Sequence, residues 1–482
     1  MITGWHHTAL GCGVLALLLA VPLSGAQSAR KTREANRASA AVFHTRVPDH
    51  PGSIVLGRPT GTAITVSLLL HKATEGVVVW GTDEKALASG RQTVSLQAGV
   101  PQPVVLDGLS PDTRYYYELR DRADGRQLLP QTGPGTFHTA RPPGTTFTFT
   151  ITADSHLDGN TDPAVYRRTL ASALADAPDF HVELGDTFMT EKHENRESAA
   201  RQYLAQRFYF GQLCASAPLF LVLGNHDGES PRGRGSDADS LAVWSNQMRK
   251  RYFPNPVPDS FFTGNAAQHP EAGLLQDYYA WAWGDALCVV LDPFWFTQQQ
   301  RGQRDNWSRT LGAEQYQWLK RTLEASRAKF KFIFTHHLVG GLDPQCRGGS
   351  EAALLYEWGG RNADGMDGFR QHRPGWPAPI HQFLVQNKVS IVFHGHDHLY
   401  ARQELEGVVY QEVPQPGNPG NARAPRNAAA YGYRSGTILG SSGYLRLKVS
   451  PNQVTADYVE TGSSDRKQST EGVSHQYSIS PR

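Results

Sequence analysis

The chain has 482 residues, 39% of them apolar and 19% charged, and carries a net charge of +2 from 47 basic and 45 acidic side chains. That length exceeds what one hydrophobic core serves, so two domains are expected, and the composition excludes wholesale disorder or a polytopic membrane protein. The near balance of charge leaves no basic excess to draw in nucleic acid by counterion release, so no specific nucleic acid binding is expected.

Residues 1–26 read as a signal peptide. An apolar stretch from Ala9 to Leu23 precedes Ser24-Gly25-Ala26, a small-x-small cleavage site, which predicts a secreted or periplasmic protein. The stretch is shorter than the roughly 20 residues a membrane helix needs, so no stable membrane insertion is expected after cleavage. Residues 27–48 are polar and basic without apolar periodicity and read as a linker. Cys214, Cys288 and Cys346 would remain after cleavage. They are too few for a disulfide framework and lack the paired spacing of a thiolate metal site.

From 49 to 140 the chain alternates short β-prone runs with Gly, Pro and Asp clusters: Ile54 to Leu56, Ala63 to Leu70, Gly76 to Trp80, Gln92 to Leu96, Pro103 to Leu106, Tyr115 to Leu119 and Gly135 to His138. The spacing predicts an all-β sandwich. Within it, Leu109-Ser110-Pro111-Asp112-Thr113-Arg114-Tyr115 resembles the tyrosine corner of fibronectin type III domains. After Pro142-Pro143-Gly144 the pattern becomes strands alternating with helices, over 146–460, with 461–482 left as a C-terminal tail. Strands are predicted at 147–153, 180–184, 219–223, 287–291, 330–334 and 389–393, and helices at 163–175, 197–215 and 313–328. Three further strands are predicted near 437–439, 444–449 and 454–459, and the whole reads as an α/β sandwich.

Five of these strands run into polar residues: Asp154-Ser-His156, Gly185-Asp186, Gly224-Asn225-His226-Asp227, His336-His337 and Gly395-His396-Asp397-His398. A single Asp or His at a strand end is ordinarily a cap or turn former. Five such ends can converge on one crevice, because ligands of open α/β sheets bind beyond the carboxyl ends of strands. The glycines at 185, 224 and 395 are expected to let the backbone turn sharply before each polar residue.

In this order the elements D-x-H, G-D, G-N-H-D, H and G-H-x-H resemble the calcineurin-like metallophosphoesterases, over about residues 146 to 460. With the β-rich region ahead of it, the chain is similar to purple acid phosphatases. The resemblance implies a fibronectin type III-like sandwich followed by two central mixed sheets flanked by helices. It further implies two metal ions, with Asp154, His156 and His398 on one, Asn225, His336 and His396 on the other, and Asp186 bridging both. Imidazole, carboxylate and amide ligands suit zinc, iron or manganese better than calcium. The implied reaction is hydrolysis of a phosphate mono- or diester by a bridging hydroxide, with His226 as general acid and Asp227 orienting it.

One departure concerns the metals. Purple acid phosphatases carry a Tyr three residues after the bridging Asp, where this chain has Met189, so a ferric tyrosinate is not expected. Leu338 likewise replaces the Pro of the family's H-x-P element, and His336 rather than His337 is the implied ligand. His394 is expected to be a strand-end or rim residue. The long stretch from Gly340 to Trp376 is expected to form a lid, with Arg347 and Arg361 as candidate binders of a small phosphoester substrate. Pro414 to Pro419 is expected at the rim or as a stiff loop. Two alternatives stand beside hydrolysis: an exported binding or adhesion protein with a non-hydrolytic core, and a nucleotidase or pyrophosphatase using Tyr356 and Trp358 against a base.

Overall fold

The computed structural model describes residues 1, 42–129, 134–231, 237–297, 305–419, 424–440, 442–462 and 472–482. The expected signal peptide and the first part of the expected linker lie outside the described residues.

The N-terminal region closes as two antiparallel sheets. Gly52–Gly57, Ile64–Leu70 and Gln102–Leu106 form one; Gly90–Leu96, Thr74–Gly81, Arg114–Asp121 and Gly135–His138, in that order, form the other. Along Arg114–Asp121 the period-two alternation turns Tyr115, Tyr117 and Leu119 into the core between the sheets. The Tyr115 hydroxyl accepts the Ser110 N–H at 2.9 Å and closes the turn between them.

Two larger mixed sheets follow, packed face to face. The first has the order Leu219–Leu221, Phe180–Glu183, Phe147–Thr152, Gly443–Val449, Val454–Glu460 and Val473–Ile479. The second runs Thr263–Gly264, Tyr279–Trp283, Ala286–Val290, Phe330–Phe334, Ile391–His394, Val408–Glu412, Tyr400–Leu405 and Thr437–Leu439. Aromatic side chains fill the space between them, among them Phe149, Phe180, Phe334 and Phe393, with Phe220 stacked on Trp281 at 4.0 Å. Helices Pro163–Ala175 and Arg196–Cys214 cover the outer face of the first sheet, and Ala313–Ala325 and Ile380–Gln386 that of the second.

Several expectations change here. The tail contains the strand Val473–Ile479, which pairs along Val454–Glu460; its alternating His475, Tyr477 and Ile479 are partly buried, and Tyr477 and Ile479 pack against the core between the sheets. Residues 42–48 of the expected linker lie on the α/β core, with Phe43 stacked on His193 and the His44 N–H bonded to the Leu157 carbonyl. The stretch from Gly340 to Trp376 is not a lid. Its short helices Ala352–Leu354 and Tyr356–Gly359 sink Ala352, Ala353 and Trp358 into the core under the second sheet. Cys214, Cys288 and Cys346 are buried and free. No helix among the described residues is long and apolar enough to cross a membrane.

Helix Arg196–Cys214 joins the two regions. From its buried face Arg207, 1% exposed, reaches Ser67 Oγ at 3.0 Å, Ser67 O at 2.9 Å and Ser53 Oγ at 3.2 Å in the sandwich, and the Tyr252 carbonyl in the core. Tyr117 returns a bond from the sandwich to the Ala215 carbonyl at 2.7 Å. Arg207→Ala would leave these acceptors buried without donors and is expected to destabilise the protein by about 3 kcal/mol in chemical denaturation. Arg207→Lys should restore part of the loss, and a change within experimental error for the Ala variant would contradict this role.

Candidate metal centre

Five strands bring their carboxyl ends to one edge of the paired sheets. Leu219–Leu221, Phe180–Glu183 and Phe147–Thr152 run parallel in the first sheet, and Phe330–Phe334 and Ile391–His394 run parallel in the second. Beyond these ends the chain turns abruptly. Asp154 (φ 60°), His156 (φ 38°), Asp186 (φ 53°), His396 (φ 83°) and His398 (φ 57°) all occupy the left-handed region. That region is uncommon for residues with a side chain, and such strain concentrates at functional sites.

The three glycines serve two purposes rather than one. Gly185 has a φ of 96° and makes a turn only glycine adopts easily. Gly224 and Gly395 leave room instead: a Cβ on Gly224 would lie 1.9 Å from the Asp186 nitrogen, and one on Gly395 2.7 Å from Asp154 Oδ2.

The loops are stitched across the two sheets. The His396 N–H donates to Asp154 Oδ2 at 2.8 Å, and His336 Nδ1–H donates to the Leu184 carbonyl at 2.8 Å, which leaves Nε2 of His336 to face the site. His396 Nε2–H donates to the Gln345 carbonyl at 2.7 Å and leaves its Nδ1. Two groups of ligand atoms result, Asp154 with His156 and His398, and Asp186 with His336 and His396, the atoms of each lying within 4.8 Å of one another. Asn225 joins the second group, its Oδ1 3.1 Å from His336 Nε2. Asp186 Oδ2 stands between the groups, 3.8 Å from His156 Nε2 and 3.3 Å from His336 Nε2.

These residues fit metal ions. Asp154 Oδ1 and His156 Nε2 are buried, 3.5 Å apart, and have no hydrogen-bond partner, so each aims an unsatisfied polar atom into the site. Burial alone would raise the carboxyl groups of Asp154 and Asp186, but the imidazoles of His398, His156 and His336 around the first, and of His336, His226 and His156 around the second, hold both below the usual range. Burial pushes the His336 imidazole down, yet the charges of Asp186 and Asp154 outweigh it and lift His336 to about 9.

A supporting layer fixes the ligand loops. Gln202 and Gln206 of helix Arg196–Cys214 both donate to the Thr187 carbonyl, at 2.9 Å and 2.8 Å, and Gln202 also donates to the His156 carbonyl. Gln415, in the Pro414 to Pro419 loop, donates to the Asp154 carbonyl at 3.0 Å, so this loop buttresses the site from below instead of forming its rim. Asp227 does not orient His226. Its carboxylate accepts the backbone N–H groups of Asp186, Thr187, Phe188 and Gly224 at 2.7–3.1 Å, and so shapes the loop that carries Asp186.

The partner of His226 is Glu191, whose Oε1 lies 2.7 Å from His226 Nδ1. Sequence reasoning missed it; its signal was an acidic residue in a polar turn five positions after Asp186. His337 bonds to the Leu338 carbonyl, and His394 pairs with buried Glu412 at 2.5 Å.

Asp186, His226, His396 and His398 line a cleft of about 320 Å³ together with Arg347, Gln345, Lys192, Met189, Phe43 and Tyr431. The Arg347 guanidinium lies 4.3 Å over the Tyr431 ring and 3.6 Å from Asp343. Arg361 is not brought to the cleft; it is exposed, in a backbone bridge to Asp367. Trp358 is buried against Tyr410 and Tyr356 packs on Trp307, so neither faces the cleft.

The chain belongs to the calcineurin-like phosphoesterase family, whose model matches residues 147–400. Among solved structures it is similar to PhoD, at 16% identity and a TM-score of 0.63, over 90% of this chain and 92% of that one. It is also similar to the purple acid phosphatase PPD1 of yellow lupin (Lupinus luteus) seeds, at 15% identity and a TM-score of 0.58, over 89% of this chain and 75% of that one. At these identities the likeness is one of fold, and both share the arrangement of β-rich N-terminal sheets ahead of the α/β core. No curated protein matches the chain.

The protonation of His336 has a consequence for metal uptake. Below about 9 a proton occupies an imidazole that a metal ion would need, so lower pH opposes binding and higher pH favours it. Calorimetric titration of the metal-free protein with zinc or manganese is expected to show apparent affinity rising from about pH 6 to pH 9, with protons released on binding. Affinity that is flat or falls over that range would contradict the assignment.

Proposed function

We propose that this protein hydrolyses phosphate mono- or diesters at a pair of metal ions, Asp154, His156 and His398 holding one, Asn225, His336 and His396 the other, and Asp186 both. The observation that carries the reading is the pair of orphaned, buried ligand atoms, Asp154 Oδ1 and His156 Nε2, inside a complete set of seven ligands. A non-hydrolytic binding or adhesion protein would be expected to have lost some of that set. Metal ions bound there would supply Lewis acidity, drawing charge off the phosphoryl oxygens and making a nucleophile of water near neutral pH.

The chain's own residues do the rest. A carboxylate only accepts hydrogen bonds, so Glu191 holds the hydrogen of His226 on Nδ1 and leaves Nε2 to carry the proton given to the departing alkoxide. The backbone N–H of His226 donates to Asp186 Oδ1 at 2.7 Å and keeps the acid and the shared ligand in register. Arg347, which lines the cleft, would meet phosphate oxygens, whereas Arg361, which does not line it, would not.

The nitrogen and oxygen ligands favour zinc, iron or manganese, and Met189, which lines the cleft, offers no phenolate to ferric iron. The N-terminal sandwich reads as a fibronectin type III domain from its strand order and the Tyr115 bond. Export to the periplasm or medium rests on the sequence of residues 1–26.

The test compares a nitrophenyl phosphate, a nitrophenyl diester and an alkyl phosphate with metal-loaded protein. Wild type is expected to hydrolyse at least one of them and to lose activity with a chelator. His226→Asn should lower kcat at least about 100-fold on the alkyl ester, whose leaving group needs a proton, and far less on the nitrophenyl ester. Glu191→Gln should show the same pattern more weakly. Inert metal-loaded wild type would overturn the function, and equal losses of the His226 variant on both esters would overturn the acid.

A further inference from the structure

The wall of the cleft beside His226 is built partly by a segment that precedes the sandwich in sequence. The turn after Asp186 presents three consecutive side chains: Glu191 holds His226, Lys192 lines the cleft, and His193 stacks on Phe43 with ring centroids 3.9 Å apart and an interplanar angle of 21°. Phe43 therefore lines the cleft against the turn that holds His226, the proposed proton donor to the leaving group. Its backbone is anchored beside the site, because the neighbouring His44 N–H donates to the carbonyl of Leu157 at 2.7 Å, one residue beyond the proposed ligand His156. Val47 packs against the cluster under helix Arg196–Cys214 and fixes the other end of the strap.

His193 is itself held, with its Nε2 2.7 Å from Gln202 Oε1, and Gln202 supports the loops of His156 and Asp186 through the His156 and Thr187 carbonyls. The Phe43 ring is thus pre-oriented: one face lies on an immobilised imidazole while the ring, half-buried, lines the cleft. Met189 also lines the cleft, as do Gln345 and Arg347. Phe43 and Met189 are thus apolar members of a lining that otherwise includes Lys192, His226, Gln345 and Arg347.

We propose, resting on the phosphoesterase reading above, that Phe43 is a specificity-determining residue, and that with Met189 it forms a subsite for a flat, apolar leaving group, favouring aryl esters over small alkyl ones. Ring-to-ring contact and the thioether edge supply the preference.

Phenylphosphonate and methylphosphonate, which share a phosphoryl end and differ only in the substituent, are the probes. Their calorimetric affinities are measured on metal-loaded wild type, Phe43→Ala and Phe43→Trp. Wild type is expected to prefer the phenyl compound by about tenfold. Phe43→Ala should lose that preference while still binding methylphosphonate, and Phe43→Trp should keep it. Equal binding of the two by wild type, or a preference that survives in Phe43→Ala, would overturn the subsite and leave the phosphoesterase reading intact. Loss of both probes by Phe43→Ala would overturn it too, by showing the ring to be a prop for the His156 loop. Wild type that binds neither would overturn both readings together.

Discussion

One carboxylate oxygen sets the terms for the rest of the core. Asp154 Oδ1 is buried 3.4 Å from His398 Nε2, 3.5 Å from His156 Nε2 and 3.9 Å from His336 Nε2, with no hydrogen bond of its own. A buried charge in that position demands a compensating cation, either protons on the imidazoles around it or metal ions in their place. The other oxygen, Oδ2, accepts from the His396 N–H and so ties the first sheet to the second. The same side chain thus creates the electrostatic need and joins the loops that can satisfy it.

Holding such a group in place calls for a scaffold that tolerates no slack. The aromatic layer between the sheets sets the spacing of the strand ends, and close approaches at Gly224 and Gly395 leave no room for side chains there. Helix Arg196–Cys214 links the two regions: Gln202 and Gln206 hold the loops of the candidate site from one part of it while Arg207 binds the sandwich from another. The sandwich is therefore bonded to the same helix that supports the candidate site, and is not a loosely tethered appendage.

The seven candidate ligand positions were legible in the sequence because each lies just beyond an apolar strand, where a buried segment has no structural reason to turn polar, and because their order resembles a known family. Partners made by tertiary packing left no such mark. Glu191 meets His226 only because the turn after Asp186 folds back on the Gly224 loop, and Phe43 reaches the cleft across the whole length of the sandwich sequence. Asp227 was misassigned because it adjoins His226 in sequence; in a tight loop neighbours diverge, and its carboxylate is consumed by four backbone N–H groups. The length of the stretch from Gly340 to Trp376 and its nearness to His336 suggest a lid carrying Arg361 and Trp358, whereas the apolar content of that stretch packs it under the second sheet. The strand Val473–Ile479 did carry a period-two pattern, but only its pairing partner reveals that it extends a sheet.

The central claim is that the strand ends form one centre for two metal ions with Asp154 and Asp186 at its heart. Elemental analysis of protein purified without added chelator tests it most directly. Wild type should carry two equivalents of zinc, iron or manganese per chain, and Asp154→Asn and Asp186→Asn should each fall to one equivalent or fewer while remaining folded by circular dichroism. Metal-free wild type that cannot be loaded, or two equivalents retained by both variants, would contradict it.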